Sequence, residues 1–85
     1  MIPQSDVYAL GVILYELVTG AVPFDGTSAT EVAQKHLTMP PTPPSQRRAG
    51  VPGRIDKVVG RALQKHPAAR YRSVEEMRQA LTGAA

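Results

Sequence analysis

The 85-residue chain contains no cysteine. Disulfide bonds and thiolate zinc sites are therefore excluded, and nothing indicates a secreted disulfide scaffold. Long hydrophobic runs are also missing: the longest apolar stretch, residues 7–18, is interrupted by Glu16 and is shorter than the roughly 20 residues that span a bilayer. The N-terminus lacks the basic segment and apolar core of a signal peptide. These features predict a cytoplasmic segment without a membrane span.

Positive charge is unevenly distributed. Residues 1–46 carry four acids and one base, whereas residues 47–85 carry nine bases and three acids, for a net charge of +3. A basic half can indicate a nucleic acid or an acidic partner. Here the bases are spread over two predicted helices and a loop without interleaved aromatic residues, which is typical of a solvated surface. We therefore expect no nucleic-acid partner.

Four helices are predicted, and no segment alternates with the period of a strand, so the expected fold class is all-α. Ser5 or Asp6 is expected to cap the first helix, and two Ser-x-x-Glu capping boxes mark the second and fourth. Apolar stripes at helical spacing mark the second, third and fourth helices. The helices are predicted over residues 6–19, 28–38, 53–64 and 73–81.

The first helix is apolar on nearly every side. Such a helix is expected to be buried all round, which requires three or four neighbouring elements and is unusual in so short a chain. Tyr8, Tyr15 and, beyond the helix, Phe24 are interpreted as core residues. Residues 39–52 hold five of the eight prolines and predict an extended, stiff connection without a helix. A ligand for a proline-binding domain is the less favoured interpretation of the same segment.

Residue patterns typical of catalysis or metal binding are not found. His36 and His66 lie thirty residues apart without the clustered ligands of a metal site. No nucleophile motif occurs, and the glycines form no phosphate-binding loop. The sequence therefore predicts no catalytic, cofactor-binding or metal-binding residue in this chain.

Two sequence motifs are more informative than these single residues. Residues 5–20 read SDVYALGVILYELVTG and are followed by Val22-Pro23-Phe24; residues 66–71 read HPAARY and precede the last predicted helix. Together these motifs closely resemble the C-terminal part of protein kinase catalytic domains, with a likeness to bacterial serine/threonine kinases that covers residues 5–82. The resemblance implies that residues 1–85 are a partial kinase domain, made of large-lobe helices joined by the proline-rich connection 39–52.

The resemblance implies that three residues, Asp6, Gly11 and Arg70, are structural anchors. In the family, the aspartate matching Asp6 accepts hydrogen bonds from the catalytic loop, and the arginine matching Arg70 pairs with the glutamate of an A-P-E motif. This chain contains no A-P-E, so Arg70 is expected to face water or to cost several kcal/mol. Gly11 costs about 1 kcal/mol against alanine, which a close backbone approach would justify. His66 departs from the family, where aspartate or asparagine is usual.

Phosphoryl transfer needs a nucleotide cradle, a lysine on the phosphates, magnesium ligands and a base. The family's motifs for these groups, a Gly-rich loop, V-A-I-K, H-R-D and D-F-G, do not occur here. ATP and magnesium are thus expected for the complete family domain and not for this chain, which is predicted to be inactive alone. Its expected partners are the N-terminal part of the kinase domain, other proteins or, by self-association, copies of itself.

Two other functions stay open at this point. The chain could be a stand-alone helical interaction module that has lost catalysis. A small DNA-binding helical domain is favoured only by the basic second half, where one predicted helix carries Arg54, Lys57, Arg61 and Gln64. That spacing suits an exposed helix face equally well.

Overall fold

The computed structural model describes residues 4–83, with side chains from residue 6 onward. Over this range the chain contains α-helices, one short 3-10 helix and no strand, so the predicted all-α class is confirmed. The 3-10 helix spans Pro67–Ala69. The α-helices are α1 (Gln4–Thr19), α2 (Ala29–Thr38), α3 (Pro44–Arg47), α4 (Gly53–Ala62) and α5 (Val74–Thr82).

Both capping boxes form at the predicted positions. The Ser28 hydroxyl accepts a hydrogen bond from the Glu31 amide at 3.1 Å, and Ser73 does the same for Glu76 at 3.1 Å. Each glutamate side chain then reaches back to the backbone N–H of the residue before its serine, at 3.1 Å for α2 and 2.9 Å for α5. Two otherwise unpaired N–H groups are satisfied at each helix start, which explains why these boundaries were predictable.

The start of α1 differs from the prediction. The helix begins at Gln4, so Asp6 lies within its first turn and is exposed, and the expectation that Asp6 is the N-cap is wrong. Ser5, the other candidate cap, also lies inside the helix, so that expectation is wrong as well, and its side chain lies outside the described residues. A carboxylate in the first turn still interacts favourably with the positive end of the helix dipole.

The proline-rich connection contains a helix that was not predicted. α3 is a single turn inside residues 39–52, so the expectation of a segment without a helix is wrong there. Pro44 occupies the first turn, where its fixed φ suits a helix and its missing N–H is not needed. The Ser45 amide donates to the Asp56 carboxylate at 3.0 Å, and the Ser45 hydroxyl donates to the same group. α3 therefore depends on a partner eleven residues away in α4.

The core lies where α1, α4 and α5 meet. One buried cluster joins all three helices, and a second joins α1 to α4 beside it. The members of both are fully or almost fully removed from solvent. The first cluster is Val7, Val58, Ala62, Tyr71 and Met77, and the second is Tyr15, Val59 and Leu63.

Gly11 lies on the side of α1 that packs closely against the end of α4. A Cβ built at Gly11 would lie 2.8 Å from the Ala62 Cβ and 3.1 Å from Leu63 Cδ2, which is too close for normal packing. Gly60 in α4 has nothing within 4 Å of such a Cβ. The two glycines thus offer a matched pair of helical sites, one crowded and one open.

We expect Gly11→Ala and Gly60→Ala to change stability in opposite directions. Gly60→Ala should stabilise the fold by up to about 1 kcal/mol, since alanine is the better helix former. Gly11→Ala gains the same propensity but overpacks the interface, which typically costs about 1–3 kcal/mol. Urea unfolding followed by circular dichroism measures both free energies. Equal stabilisation by both substitutions would show that α1 and α4 leave room for a methyl group at position 11.

The apolar helix α1 is not buried all round, as the sequence led us to expect. Its face toward α4 is buried, but Ile13 is 52% exposed and Leu17 is 74% exposed. The elements packed against α1 leave these two side chains uncovered. Among residues 4–83, no helix is long and apolar enough to cross a membrane.

Candidate functional site

The exposed side of α1 forms one wall of an apolar groove, and α5 forms the other. The groove has a volume of about 220 Å³. Along its α1 wall, Leu10 and Leu14 are half-buried against the core, while Ile13 and Leu17 stand at the rim. Its lining consists of Leu10, Ile13, Leu14, Leu17, Val74, Met77, Leu81 and the aliphatic part of Arg78. A groove of this kind is suited to receive an apolar surface.

Arg70 lies between the end of α4 and the start of α1. Its Nε donates to the Gln64 carbonyl at 2.7 Å, and its Nη2 donates to the Lys65 carbonyl at 3.3 Å. Its guanidinium carbon lies 4.7 Å from the centre of the Tyr8 ring, within the range of a cation–π contact. Arg70 is half-buried and hydrogen-bonded. It therefore matches neither of the two expected outcomes, full exposure to water or costly burial. These hydrogen bonds could not be predicted from the sequence, because every residue has a backbone carbonyl and no residue type marks the acceptor.

The three proposed structural anchors do not converge on one site. Asp6 is exposed near the start of α1, Gly11 is buried against α4, and Arg70 bridges the C-terminal end of α4 to Tyr8. Asp6 and Gly11 lie on α1 itself, and Arg70 contacts α1 through the Tyr8 ring.

Tyr15 connects the core to the proline-rich connection. Its ring is completely buried, and its hydroxyl donates to the Thr42 carbonyl at 2.7 Å. The Arg47 guanidinium carbon lies 5.5 Å from the ring centre. Burial raises the pKa of the Tyr15 hydroxyl, although Arg47 acts in the opposite direction. The hydroxyl therefore keeps its proton at neutral pH and remains a hydrogen-bond donor.

Several acidic side chains of the described residues take part in local structure. No group of three or more histidine, cysteine, aspartate or glutamate side chains converges within residues 4–83. Several acids are instead engaged in local structure: Glu31 pairs with Lys35 at 3.3 Å, and Glu75 pairs with Arg78 at 2.5 Å. Asp56 holds the start of α3.

Comparisons with known proteins agree with the motifs. The family model described as protein tyrosine and serine/threonine kinase matches residues 1–81. The chain is 49% identical over 75 residues to the serine/threonine-protein kinase PknB of Mycobacterium leprae, covering 88% of this chain and 12% of that protein. It is 46% identical over 80 residues to the serine/threonine-protein kinase pkn3 of Myxococcus xanthus, covering 92% of this chain and 15% of the relative.

A probable serine/threonine-protein kinase of Corynebacterium efficiens is 47% identical over 78 residues, covering 87% of this chain and 12% of its own length. The chain thus spans about one eighth of the length of most of these relatives. The matched segment includes the helices and both motifs from which the resemblance was inferred. The chain belongs to the protein tyrosine and serine/threonine kinase family and corresponds to an incomplete part of a bacterial-type serine/threonine kinase domain.

Proposed function

We propose that residues 1–85 are the C-terminal, large-lobe part of a serine/threonine kinase catalytic domain. The complete domain would phosphorylate serine or threonine residues of proteins with ATP and magnesium in the cytoplasm. This chain contributes helices that position other elements, with Asp6, Gly11 and Arg70 as structural anchors, and it does not itself bind nucleotide or transfer phosphate. Its partner is the N-terminal part of the kinase domain, and neither nucleic acid nor membrane binds this segment.

The groove between α1 and α5 is the observation that carries this proposal. A helix that is apolar on nearly every side has Ile13 and Leu17 exposed beside a lining of apolar side chains. Covering such a surface releases ordered water and contributes roughly 25 cal/mol per Å² of apolar area. The chain therefore presents a surface that a further part of a kinase domain would cover.

The nucleotide sequence immediately upstream of the Met1 codon tests the proposal. Codons for H-R-D, D-F-G and A-P-E, in frame or separated by a frameshift, would support a kinase domain of which this chain is one part. Unrelated sequence there would contradict the proposal and favour a stand-alone interaction module.

We expect self-association of the isolated chain through the groove, and two exposed leucines test this. Leu17 at the groove rim is 74% exposed, and Leu37 on α2 is 73% exposed but does not line the groove. Leu17→Ser should raise the self-dissociation constant at least about tenfold, since burying one leucine contributes roughly 1.5–3 kcal/mol. Leu37→Ser should leave it unchanged.

Sedimentation velocity over a range of concentrations measures both constants. The free energy of unfolding should change by less than about 0.5 kcal/mol in either variant, because both side chains are on the surface. Equal effects of the two substitutions, or a wild-type chain that stays monomeric at high concentration, would contradict association through the groove.

A further inference from the structure

Helix α2 is attached to the rest of the chain in an unusual way. None of the residues in Ala29–Thr38 is buried, so no apolar core holds this helix. A histidine makes its main side-chain link to α1 instead: His36 Nδ1 lies 2.6 Å from the Tyr8 hydroxyl. The His36 ring also meets the Phe24 ring edge to face, with 4.8 Å between the ring centres. The position of α2 therefore depends on a titratable side chain.

Two positive charges lie against the aromatic partners of this histidine. Lys65 Nζ lies 4.3 Å from the centre of the Phe24 ring and donates to the Lys35 carbonyl at 3.3 Å. The Arg70 guanidinium carbon lies 4.7 Å from the centre of the Tyr8 ring, on the residue that is hydrogen-bonded to His36. Both cations come from the segment after α4, so they face α2 from a different element.

The nearby acids do not offset these cations at the imidazole. On α2 itself, Lys35 precedes His36, and its ammonium group pairs with Glu31 and donates to the Asp25 carbonyl. The Asp25 carboxylate accepts from the Gly26 amide at 2.8 Å. Both acids are thus engaged with α2 or the loop before it.

The neutral form of His36 fits these surroundings. Burial raises the pKa of the Tyr8 hydroxyl more than Arg70 lowers it, so the hydroxyl keeps its proton and can donate a hydrogen bond to Nδ1 of a neutral His36. Burial, and then the positive charge of Lys65, lower the pKa of His36 below the ordinary 6.5. A proton on His36 would add a positive charge close to that of Lys65 and would turn Nδ1 from a hydrogen-bond acceptor into a donor.

We propose that His36 is a pH-sensitive pin, which holds α2 against α1 while neutral and releases it when protonated. The docked state binds fewer protons than the released state, so docking is strongest above about pH 6.5 and weakens as the pH falls below that value. The effect is confined to α2 and the loop before it, because the α1–α4–α5 core does not include His36. The inference does not depend on phosphoryl transfer.

Peptide-resolved hydrogen–deuterium exchange of the 85-residue chain, corrected for intrinsic rates, tests the pin. Between about pH 7.5 and pH 5.5 we expect protection of residues 29–38 to fall at least roughly threefold, while protection of α1, α4 and α5 stays constant. His36→Gln removes the titration but keeps a side chain that can accept from Tyr8, so its α2 protection should not depend on pH. His66→Gln removes the other histidine, which is exposed beside the 3-10 helix, and should behave as wild type.

Two results would overturn the proposal. Protection of α2 that falls equally in wild type and His36→Gln would assign the pH dependence to another group. Unprotected exchange of α2 at both pH values in the wild type would show that the pin does not form in this chain. A histidine titration followed by nuclear magnetic resonance adds a direct readout: the pKa of His36 should lie below 6.5, and Tyr8→Phe should change it.

Discussion

The purified chain, incubated with ATP, magnesium and protein substrates, is expected to transfer no phosphate. Kinase catalysis consists of positioning the γ-phosphoryl group and stabilising its charge with a lysine, two magnesium ions and an aspartate base. The 85 residues contain no Gly-rich loop, V-A-I-K, H-R-D or D-F-G motif that would supply these groups. The described acids, such as Asp56 and Glu31, are engaged in holding α3 and α2. We therefore expect no kinase activity at all, and not merely a reduced rate.

Transfer of the γ-phosphate from radiolabelled ATP measures this directly. The complete PknB relative from Mycobacterium leprae, to which the chain is 49% identical, is the positive control under the same conditions. Purification under denaturing conditions followed by refolding removes contaminating kinases. Incorporation of label in proportion to the amount of refolded chain would refute the expected inactivity.

Replacement of Tyr15 by alanine is expected to destabilise the chain more than either glycine substitution or either leucine substitution. The Tyr15 ring is completely buried between α1 and α4, in the cluster with Val59 and Leu63. Truncating a buried aromatic side chain to alanine costs about 3–5 kcal/mol, because the lost burial and the remaining cavity both count. A domain of this size has a total stability of only several kcal/mol. Tyr15→Ala should therefore leave the chain largely unfolded at 25 °C.

Tyr15→Phe separates the ring from its hydroxyl. It keeps the buried ring but removes the donor to the Thr42 carbonyl, so it should cost about 1 kcal/mol. It should also increase hydrogen exchange in the connection 39–52, since that contact ties the connection to α1. Thermal unfolding followed by circular dichroism compares the two variants. A similar, small loss in both would mean that the ring is not a core residue.

The parts of the fold that the sequence predicted depend on neighbours a few residues apart. Ser28 and Ser73 lie three residues before the amides they cap, and the apolar stripe of α4 follows the helical period. Of the three aromatic residues interpreted as core, Tyr15 and Phe24 are buried and Tyr8 is half-buried. Such features are set by local hydrogen bonding and by which side of a helix is apolar. Local patterns were therefore sufficient for the fold class and for four of the helices.

The parts that were missed depend on residues distant in the sequence. α3 needs Asp56, eleven residues beyond Ser45, and the link between Tyr8 and His36 joins residues twenty-eight apart. Arg70 binds backbone carbonyls, which have no residue type to recognise. The exposure of Leu17 could not be predicted from the apolar pattern of α1, because the pattern indicates that a surface must be covered and not what covers it.

The most direct test of the central claim is a chimera. In it, the segment of PknB from Mycobacterium leprae that matches this chain is replaced by the corresponding residues of the chain. If these residues are the structural C-terminal part of a kinase domain, the chimera transfers phosphate from ATP to protein, the isolated chain does not, and Tyr15→Ala within the chimera abolishes transfer. A chimera that unfolds cooperatively and binds ATP, yet transfers no phosphate, would contradict the claim.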